Sequence, residues 1–359
     1  MKTILLNPGP VTLSDGVRAA LLGPDLCHRE SEFASLQDGL RRKLLAVYGV
    51  PAIDWGAVLL TGSGTAAVEA MITSVVPSGG RLLVAENGVY GERMSRIAEI
   101  YGIAITRVSS PWGAPLDLDA IAHALRSTPH THVAVVHHET TTGRLNDLSA
   151  LAKICRTAGV GLLLDGVSSF GAEQIDFAQW GIDACAATAN KCLHGVPGTA
   201  FVILRRAALA AAHGRPRSVY LDLREYLARQ DGQGTPFTQS VQTFYALDAA
   251  LDEFFAAGGV PARQALFRAR MAEVRTTLTV LGVTSLLAQE ETSCVLHAFE
   301  LPLGRTYQVL HDALKARGFI IYAGQGALSE RVFRISAMGD IGAEDLARLC
   351  RALREVLSD

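Results

Sequence analysis

Apolar residues recur along this chain in two rhythms. Short unbroken runs, Val58-Leu59-Leu60, Leu82-Leu83-Val84, Val133-Ala134-Val135-Val136, Leu162-Leu163-Leu164 and Phe201-Val202-Ile203-Leu204, have the length and β-branched content of strands buried on both faces. Between them, Ala66 to Val76, Arg93 to Tyr101 and Leu148 to Ala158 carry apolar residues at three-to-four spacing, the period of a helix with one buried stripe. Alternation of the two predicts βαβ units: an α/β layer with a mostly parallel central sheet, all five runs read as parallel strands, and helices on its faces. Ligands of such sheets collect at the carboxyl ends of the strands.

The rhythm changes after Gln230-Asp231-Gly232-Gln233-Gly234-Thr235-Pro236, a loop by composition. A helical stretch, Val241 to Ala256, then leads through Gly258-Gly259-Val260-Pro261 into a second long helix. Beyond it, strand-like Ser293 to Phe299 and Phe333-Arg334-Ile335 flank a helix around Tyr307 to Arg317. The expected division is an N-terminal segment, 1–15, lining the site, a large domain, 16–257, and a smaller α+β domain, 258–359. No tandem repeat or low-complexity stretch interrupts it.

Composition narrows the partners. With 49% hydrophobic and 19% charged residues, the 359-residue chain can bury a large core. Its formal charge of −2 comes from interspersed acids and bases, which argues against nucleic acid and membrane surfaces as partners and leaves small molecules. The six cysteines form no CxxC pair, and MKTILLNPGP lacks the apolar core of an export signal, so a reduced, cytoplasmic protein is expected.

Three features carry chemistry. Gly62-Ser63-Gly64-Thr65 ends the first strand and opens a helix, where backbone N–H groups and a hydroxyl can hold a phosphate. With Ala67 it also spells G-x-G-x-x-A, and Glu86 ends the next strand, so a dinucleotide site of an NAD(P)-dependent oxidoreductase is a rival reading. Asp165 ends another strand, as a ligand carboxylate or as the cap of the next turn. Lys191 stands alone in Ala187-Thr188-Ala189-Asn190-Lys191-Cys192-Leu193-His194-Gly195, an apolar setting that a charge enters only for a reason. A phosphate cup, a strand-end carboxylate and an isolated lysine are what pyridoxal 5′-phosphate requires: an amine for the Schiff base, an acid to keep the pyridine nitrogen protonated, and a seat for the phosphate. The same amine, once displaced by substrate, can move a proton between substrate and cofactor.

Other candidates are weaker. His130, His132, His137 and His138 straddle one strand and point to different faces, so no metal site is expected. Cys192 reads as a small buried filler. Arg334, a lone guanidinium in a strand pattern, needs an anion, either a substrate or a structural acid. Asn7-Pro8-Gly9-Pro10 is a rigid turn whose backbone, at Pro8 and Gly9, can line a pocket.

Taken together, the segments Asn7-Pro8-Gly9-Pro10-Val11-Thr12, Gly62 to Thr65 with Ala67 to Ala70, Asn87-Gly88-Val89-Tyr90-Gly91, Glu139-Thr140-Thr141-Thr142-Gly143, Asp165 to Gly171 and Asn190 to Gly198 resemble the class V, fold-type I pyridoxal-phosphate-dependent aminotransferases. Among these the likeness is to the branch acting on 2-aminoethylphosphonate and pyruvate, and it runs over nearly the whole chain. The resemblance implies that Lys191 carries the cofactor, Asp165 pairs with its ring nitrogen, Ser63, Gly64 and Thr65 hold its phosphate, Tyr90 stacks on its ring and Thr140 lies at its polar edge. It further implies a homodimer in which Thr238 reaches the phosphate of the other subunit, and an Arg334 that grips the substrate anion. The implied reaction moves the amino group of 2-aminoethylphosphonate to pyruvate, giving phosphonoacetaldehyde and L-alanine. Two segments depart from that branch. His28-Arg29-Glu30 with Glu32-Phe33 resembles alanine:glyoxylate and serine:pyruvate transaminases, with His28 and Arg29 as a second anion contact or an N-terminal clamp, and Ile335 to Asp340 differs after the arginine. An alanine or serine transaminase using glyoxylate or pyruvate, and a biosynthetic enzyme aminating phosphonoacetaldehyde, therefore stand as alternatives.

Overall fold

The computed structural model describes residues 2–358. Its centre is a seven-stranded sheet in the order Trp55–Gly62, Gly198–Arg205, Ile182–Thr188, Gly161–Asp165, His132–Val136, Arg81–Glu86, Ala104–Ser109. From Ile182–Thr188 to Ala104–Ser109 all neighbours are parallel. The strand Gly198–Arg205 runs antiparallel to both of its neighbours, correcting the reading of Phe201 to Leu204 as a parallel strand. A buried apolar run carries no sign of direction. The direction is set by the connection: only the short loop from Ala189 to Pro197 separates Gly198–Arg205 from Ile182–Thr188, too few residues for a crossover.

Apolar side chains cover both faces. Leu83, Val133, Leu162, Leu164 and Phe201 share one cluster with residues of helices Ser31–Ala46, Leu118–Ser127, Leu148–Ala158 and Val241–Ala256. Leu82, Val84, Leu163, Ala186 and Val202 pack on the other side against helices Gly64–Val75 and Val89–Ile100. The edge strand Ala104–Ser109 was illegible in the pattern because it is partly exposed and lacks a buried run.

A second core gathers Phe267, Met271 and Leu278 of the helix Gly259–Val280 with Phe299, Phe333, Ile335 and Leu353. Its sheet is antiparallel, Leu296–Glu300 beside Val332–Ser336 beside Tyr322–Ala323. The chain's beginning belongs here too: Ile4–Leu5 pairs with Phe319–Ile320, and Ile4, Leu6 and Val11 are buried in this core. That pairing delivers Asn7 to Pro10 to the boundary between the two cores. Among the described residues no helix is long and apolar enough to cross a membrane.

Candidate active site

Because Trp55–Gly62, Arg81–Glu86, His132–Val136, Gly161–Asp165 and Ile182–Thr188 share one direction, their carboxyl ends form one rim. The segments that follow them, Ser63 to Thr65, Asn87 to Tyr90, His137 to Thr142, Asp165 to Ser169 and Ala189 to Lys191, meet there. The antiparallel strand begins at the same rim, with Gly198 opposite Gly62, which is why the lysine loop turns back over the site.

Lys191 is 9% exposed, and its Nζ donates to Ser168 Oγ at 2.9 Å. The loop is pinned by Gly195 N–H to Ala189 C=O at 2.9 Å. Gly9 closes the other side of the lysine. Its φ of +109° suits glycine, and a Cβ there would stand 3.1 Å from both Lys191 Cγ and Asn190 C=O. Gly9 therefore comes to the lysine stem, with Pro8 next to it in the same turn. Ser168 had no role in the sequence reading; its position three residues past Asp165 was the available signal.

Asp165 is buried, with Oδ1 accepting from Val167 N–H at 2.9 Å. Asp165 thus caps its own turn at the carboxyl end of its strand. Burial raises its pKa, opposed by the Val167 N–H and by the Lys191 and Arg93 cations. A buried carboxylate in that condition is suited to a cationic N–H partner.

Ser63 precedes the helix Gly64–Val75 in extended conformation and makes no side-chain capping bond. The first N–H groups of that helix have no intrahelical acceptor, so they present a positive end to the rim. Gly64 is required by packing: a Cβ would lie 2.7 Å from Val167 Cγ1. Thr65 Oγ1 accepts from Arg93 Nη1 at 3.1 Å. Tyr90, in the first turn of Val89–Ile100, has its ring 5.8 Å from Lys191 Nζ and 4.7 Å from Arg93 Cζ. Burial pushes the Tyr90 hydroxyl up, yet the Lys191 cation, the neighbouring Thr140 hydroxyl and the more distant Arg334 and Arg93 outweigh it and hold its pKa below the usual phenol value. Thr140 Oγ1 is buried without a hydrogen-bond partner.

Glu139 carries a structural load that its motif did not reveal. Its carboxylate accepts from Thr141 N–H at 3.1 Å, Thr141 Oγ1 at 2.5 Å and Gly91 N–H at 3.3 Å, which ties the helix bearing Tyr90 to the Thr140 segment. Burial raises its pKa to about 7 against those bonds.

Arg334 reaches the rim from the second core. It is 3% exposed, with Nε donating to Ala323 C=O at 2.8 Å and Nη1 to Thr140 C=O at 2.7 Å, and with Gln325 Oε1 at 3.5 Å from Nη1. No carboxylate among the described residues pairs with it, so the structural acid allowed by the sequence is absent there. Burial lowers its pKa, partly offset by Tyr90 and Glu139. Arg334 bridges both cores while Nη2 keeps its hydrogens free of any protein acceptor among the described residues.

Other candidates fall elsewhere. Thr238 is exposed on the loop before Val241–Ala256, whose neighbours Gln239 and Ser240 bond to Thr61 Oγ1 at 2.7 and 2.9 Å. Arg29 is exposed; His28 is half-buried with an unpartnered Nε2. His137 Nδ1 contacts Ser169 Oγ and His138 Nδ1 the Ser168 carbonyl, each at 3.0 Å, so both rings serve as props behind the rim. Cys192 is buried, and burial pushes its thiol up to about 12. The dinucleotide reading loses its acid: Glu86 is 2% exposed and engaged by Ser95, by Arg107 at 2.9 and 3.1 Å and by Ser109 at 2.9 Å, leaving nothing for a ribose.

These residues fit pyridoxal 5′-phosphate. The uncapped helix end with Ser63, Gly64 and Thr65 suits its phosphate, Asp165 its ring nitrogen, the orphaned Thr140 hydroxyl its polar edge, Tyr90 its face and the buried Lys191 amine its aldehyde carbon.

Several known proteins are similar to this chain over nearly its whole length. A protein of Vibrio cholerae named 2-aminoethylphosphonate–pyruvate transaminase is 36% identical over 360 residues, covering 99% of this chain and 97% of its own. A Klebsiella pneumoniae protein of the same name is 37% identical over 356 residues, covering 98% and 96%. Among solved structures, an aspartate aminotransferase of subgroup IV from Thermus thermophilus superposes with a TM-score of 0.90 at 30% identity over 99% of both chains. An alanine–glyoxylate aminotransferase from Nostoc sp. gives 0.92 at 26% identity, covering 99% of this chain and 96% of its own. The aminotransferase class-V family model matches residues 23–349, so the rim of lysine, aspartate and arginine sits in a chain that belongs to the class V aminotransferases.

Proposed function

We propose that this aminotransferase, loaded with pyridoxal 5′-phosphate, moves the amino group of 2-aminoethylphosphonate to pyruvate and releases phosphonoacetaldehyde and L-alanine. The observation that carries the reading is Arg334, a buried guanidinium with no acid partner among the described residues, at the rim that also holds Lys191. Both substrates are anions, pyruvate through the carboxylate on its reacting carbon and the phosphonate through a group one carbon further away, and a guanidinium meets phosphonate or carboxylate through charge-assisted N–H donors. Full-length relatives that bear this substrate pair in their names support it.

When bound, the cofactor supplies covalent attachment and an electron sink. The chain's own residues do the rest. Lys191 offers its amine from a site walled by Gly9 and held by Ser168, from which it would take a proton from the substrate carbon and deliver it to the cofactor. With the cofactor bound, Asp165 would pair with the ring nitrogen, Tyr90 would pack against the ring, and the positive helix end at Ser63 to Thr65 would hold the phosphate. Arg334 orients the substrate so that the bond to be broken faces Lys191.

The proposal extends to a homodimer in which Thr238, exposed in the single chain, completes the partner's phosphate site, and to domains divided near residues 15 and 257. The experiment is a visible spectrum of the purified protein with 2-aminoethylphosphonate, alanine or serine as donor. Loss of the cofactor's band with the phosphonate at the lowest concentration supports the reading. Loss only with alanine or serine moves the enzyme to the α-amino acid transaminases. No band after incubation with the cofactor defeats it.

A further inference from the structure

The likeness to known enzymes assigns no role to Arg93, the fifth residue of the helix Val89–Ile100. Its guanidinium lies between two parts of the rim, with Nη1 donating to Thr65 Oγ1 at 3.1 Å and Cζ 4.7 Å from the centre of the Tyr90 ring. No carboxylate among the described residues pairs with it. Arg107, from the neighbouring edge strand, shows the contrast, bound through Nε and Nη2 to Glu86 at 2.9 and 3.1 Å. Arg93 is thus a half-buried cation with one neutral acceptor and with Nε and Nη2 unused inside the described chain.

The hydroxyl of Thr65 makes this placement informative. It has one hydrogen to give and two lone pairs to receive with. Arg93 fills a lone pair, which leaves the Thr65 hydrogen free and polarised for an anion at the uncapped helix end. A phosphate group carries close to two negative charges near neutral pH, and a helix end supplies only about half of one positive charge. The phosphate cup named from the sequence contains no cation of its own, since Ser63, Gly64 and Thr65 are all neutral.

We infer that Arg93 is the side-chain counter-charge of the cofactor phosphate, acting through the Thr65 hydroxyl that it orients and by its own charge. This rests on the cofactor reading above, and it distinguishes Arg93 from Arg334, which serves the substrate anion. It also explains why a cation packs over Tyr90: one helix carries both the ring-facing tyrosine and the phosphate-facing arginine, three residues apart on a shared face.

The test separates phosphate recognition from general support of the site. Cofactor-free wild type, Arg93→Gln and Arg93→Lys are titrated with pyridoxal 5′-phosphate and, separately, with pyridoxal, which lacks the phosphate, while absorbance and intrinsic fluorescence are followed. Loss of a charge-assisted contact predicts a Kd for pyridoxal phosphate raised about ten- to a hundredfold in Arg93→Gln, with pyridoxal binding unchanged within about twofold. Arg93→Lys keeps the charge without the fork and falls between. Equal weakening of both ligands, whether by misfolding or through Tyr90, overturns the inference, as does unchanged affinity for both in Arg93→Gln. If Arg93→Gln fails to fold, Arg93→Lys decides: a loss confined to the phosphorylated ligand upholds the inference and an equal loss overturns it. Wild type that binds neither ligand overturns the cofactor reading itself, an outcome recognisable without any variant.

Discussion

Removing the Arg334 side chain tests the substrate half of the proposal most sharply, because its two jobs predict different losses. Arg334 holds the Thr140 and Ala323 carbonyls at 2.7 and 2.8 Å and so joins the two cores. Arg334→Ala leaves both carbonyls short of a donor, at about 1–3 kcal/mol each where water does not replace it. The second job proposed for it uses Nη2, free of protein acceptors among the described residues, toward the substrate. Two charge-assisted bonds at about 1.5–3 kcal/mol each amount to roughly a hundredfold to ten-thousandfold in kcat/KM for both half-reactions. Arg334→Lys should recover part of the stability and little of the activity, since an ammonium cannot make the paired contact. Half-reactions followed by stopped-flow absorbance with 2-aminoethylphosphonate and pyruvate give kcat/KM, and a cofactor titration on the same variants gives Kd. Cofactor affinity should stay within about threefold of wild type, given that its predicted anchors lie elsewhere. Unchanged kcat/KM in Arg334→Lys, or a loss confined to cofactor binding, refutes the assignment.

Other perturbations have equally definite outcomes. Lys191→Ala should abolish turnover and the cofactor's protein-bound visible band, and wild-type activity in that variant removes the central assignment. Asp165→Ala should keep the cofactor bound through its phosphate while kcat falls at least roughly a hundredfold, as removal of a preorganised charge predicts; an undiminished kcat contradicts it. Gly64→Ala places a Cβ 2.7 Å from Val167 Cγ1, an overpacking of about 1–3 kcal/mol that should lower Tm by a few degrees and weaken cofactor binding, and an unchanged melting curve would show that the helix end yields freely. Stability should fall on acidification from pH 6.5 toward 4. Burial holds His137 and His297 at about 4 in the folded chain, below the ordinary 6.5, so the unfolded chain takes up protons first. Each then withdraws up to about 3 kcal/mol by pH 4, while Glu139, raised to about 7, adds stability in the opposite sense as pH falls from 7 to 4.5. Urea midpoints at pH 7, 6 and 5 measure the balance, and a midpoint rising steadily with acid would contradict the histidine account.

Local sequence determined a good deal of this protein. The runs at Val58, Leu82, Val133 and Leu162 became strands because uninterrupted apolar residues must be buried on both faces, and the helices at Ala66, Arg93 and Leu148 followed from their period. Gly62 to Thr65, Asp165 and Lys191 were legible because each breaks an apolar pattern where a strand ends. Where the chain offers no such break, nothing announced the role. Ser168, Glu139 and Arg93 are ordinary residues in the sequence, and only the meeting of five strand ends brings Ser168 to Lys191, Glu139 to the helix of Tyr90, and Arg93 to Thr65. The direction of Gly198–Arg205 was decided by the length of the loop before it, and the contact of Gly9 with Lys191 by the pairing of the chain's first strand with Phe319–Ile320. Sequence pattern reports whether a segment is buried and at what period, since those depend on near neighbours. Which strand end faces which, and whether Arg334 finds an acid or stays free for a substrate, depends on residues far apart in sequence, and those distances exist only once the two cores have closed on each other.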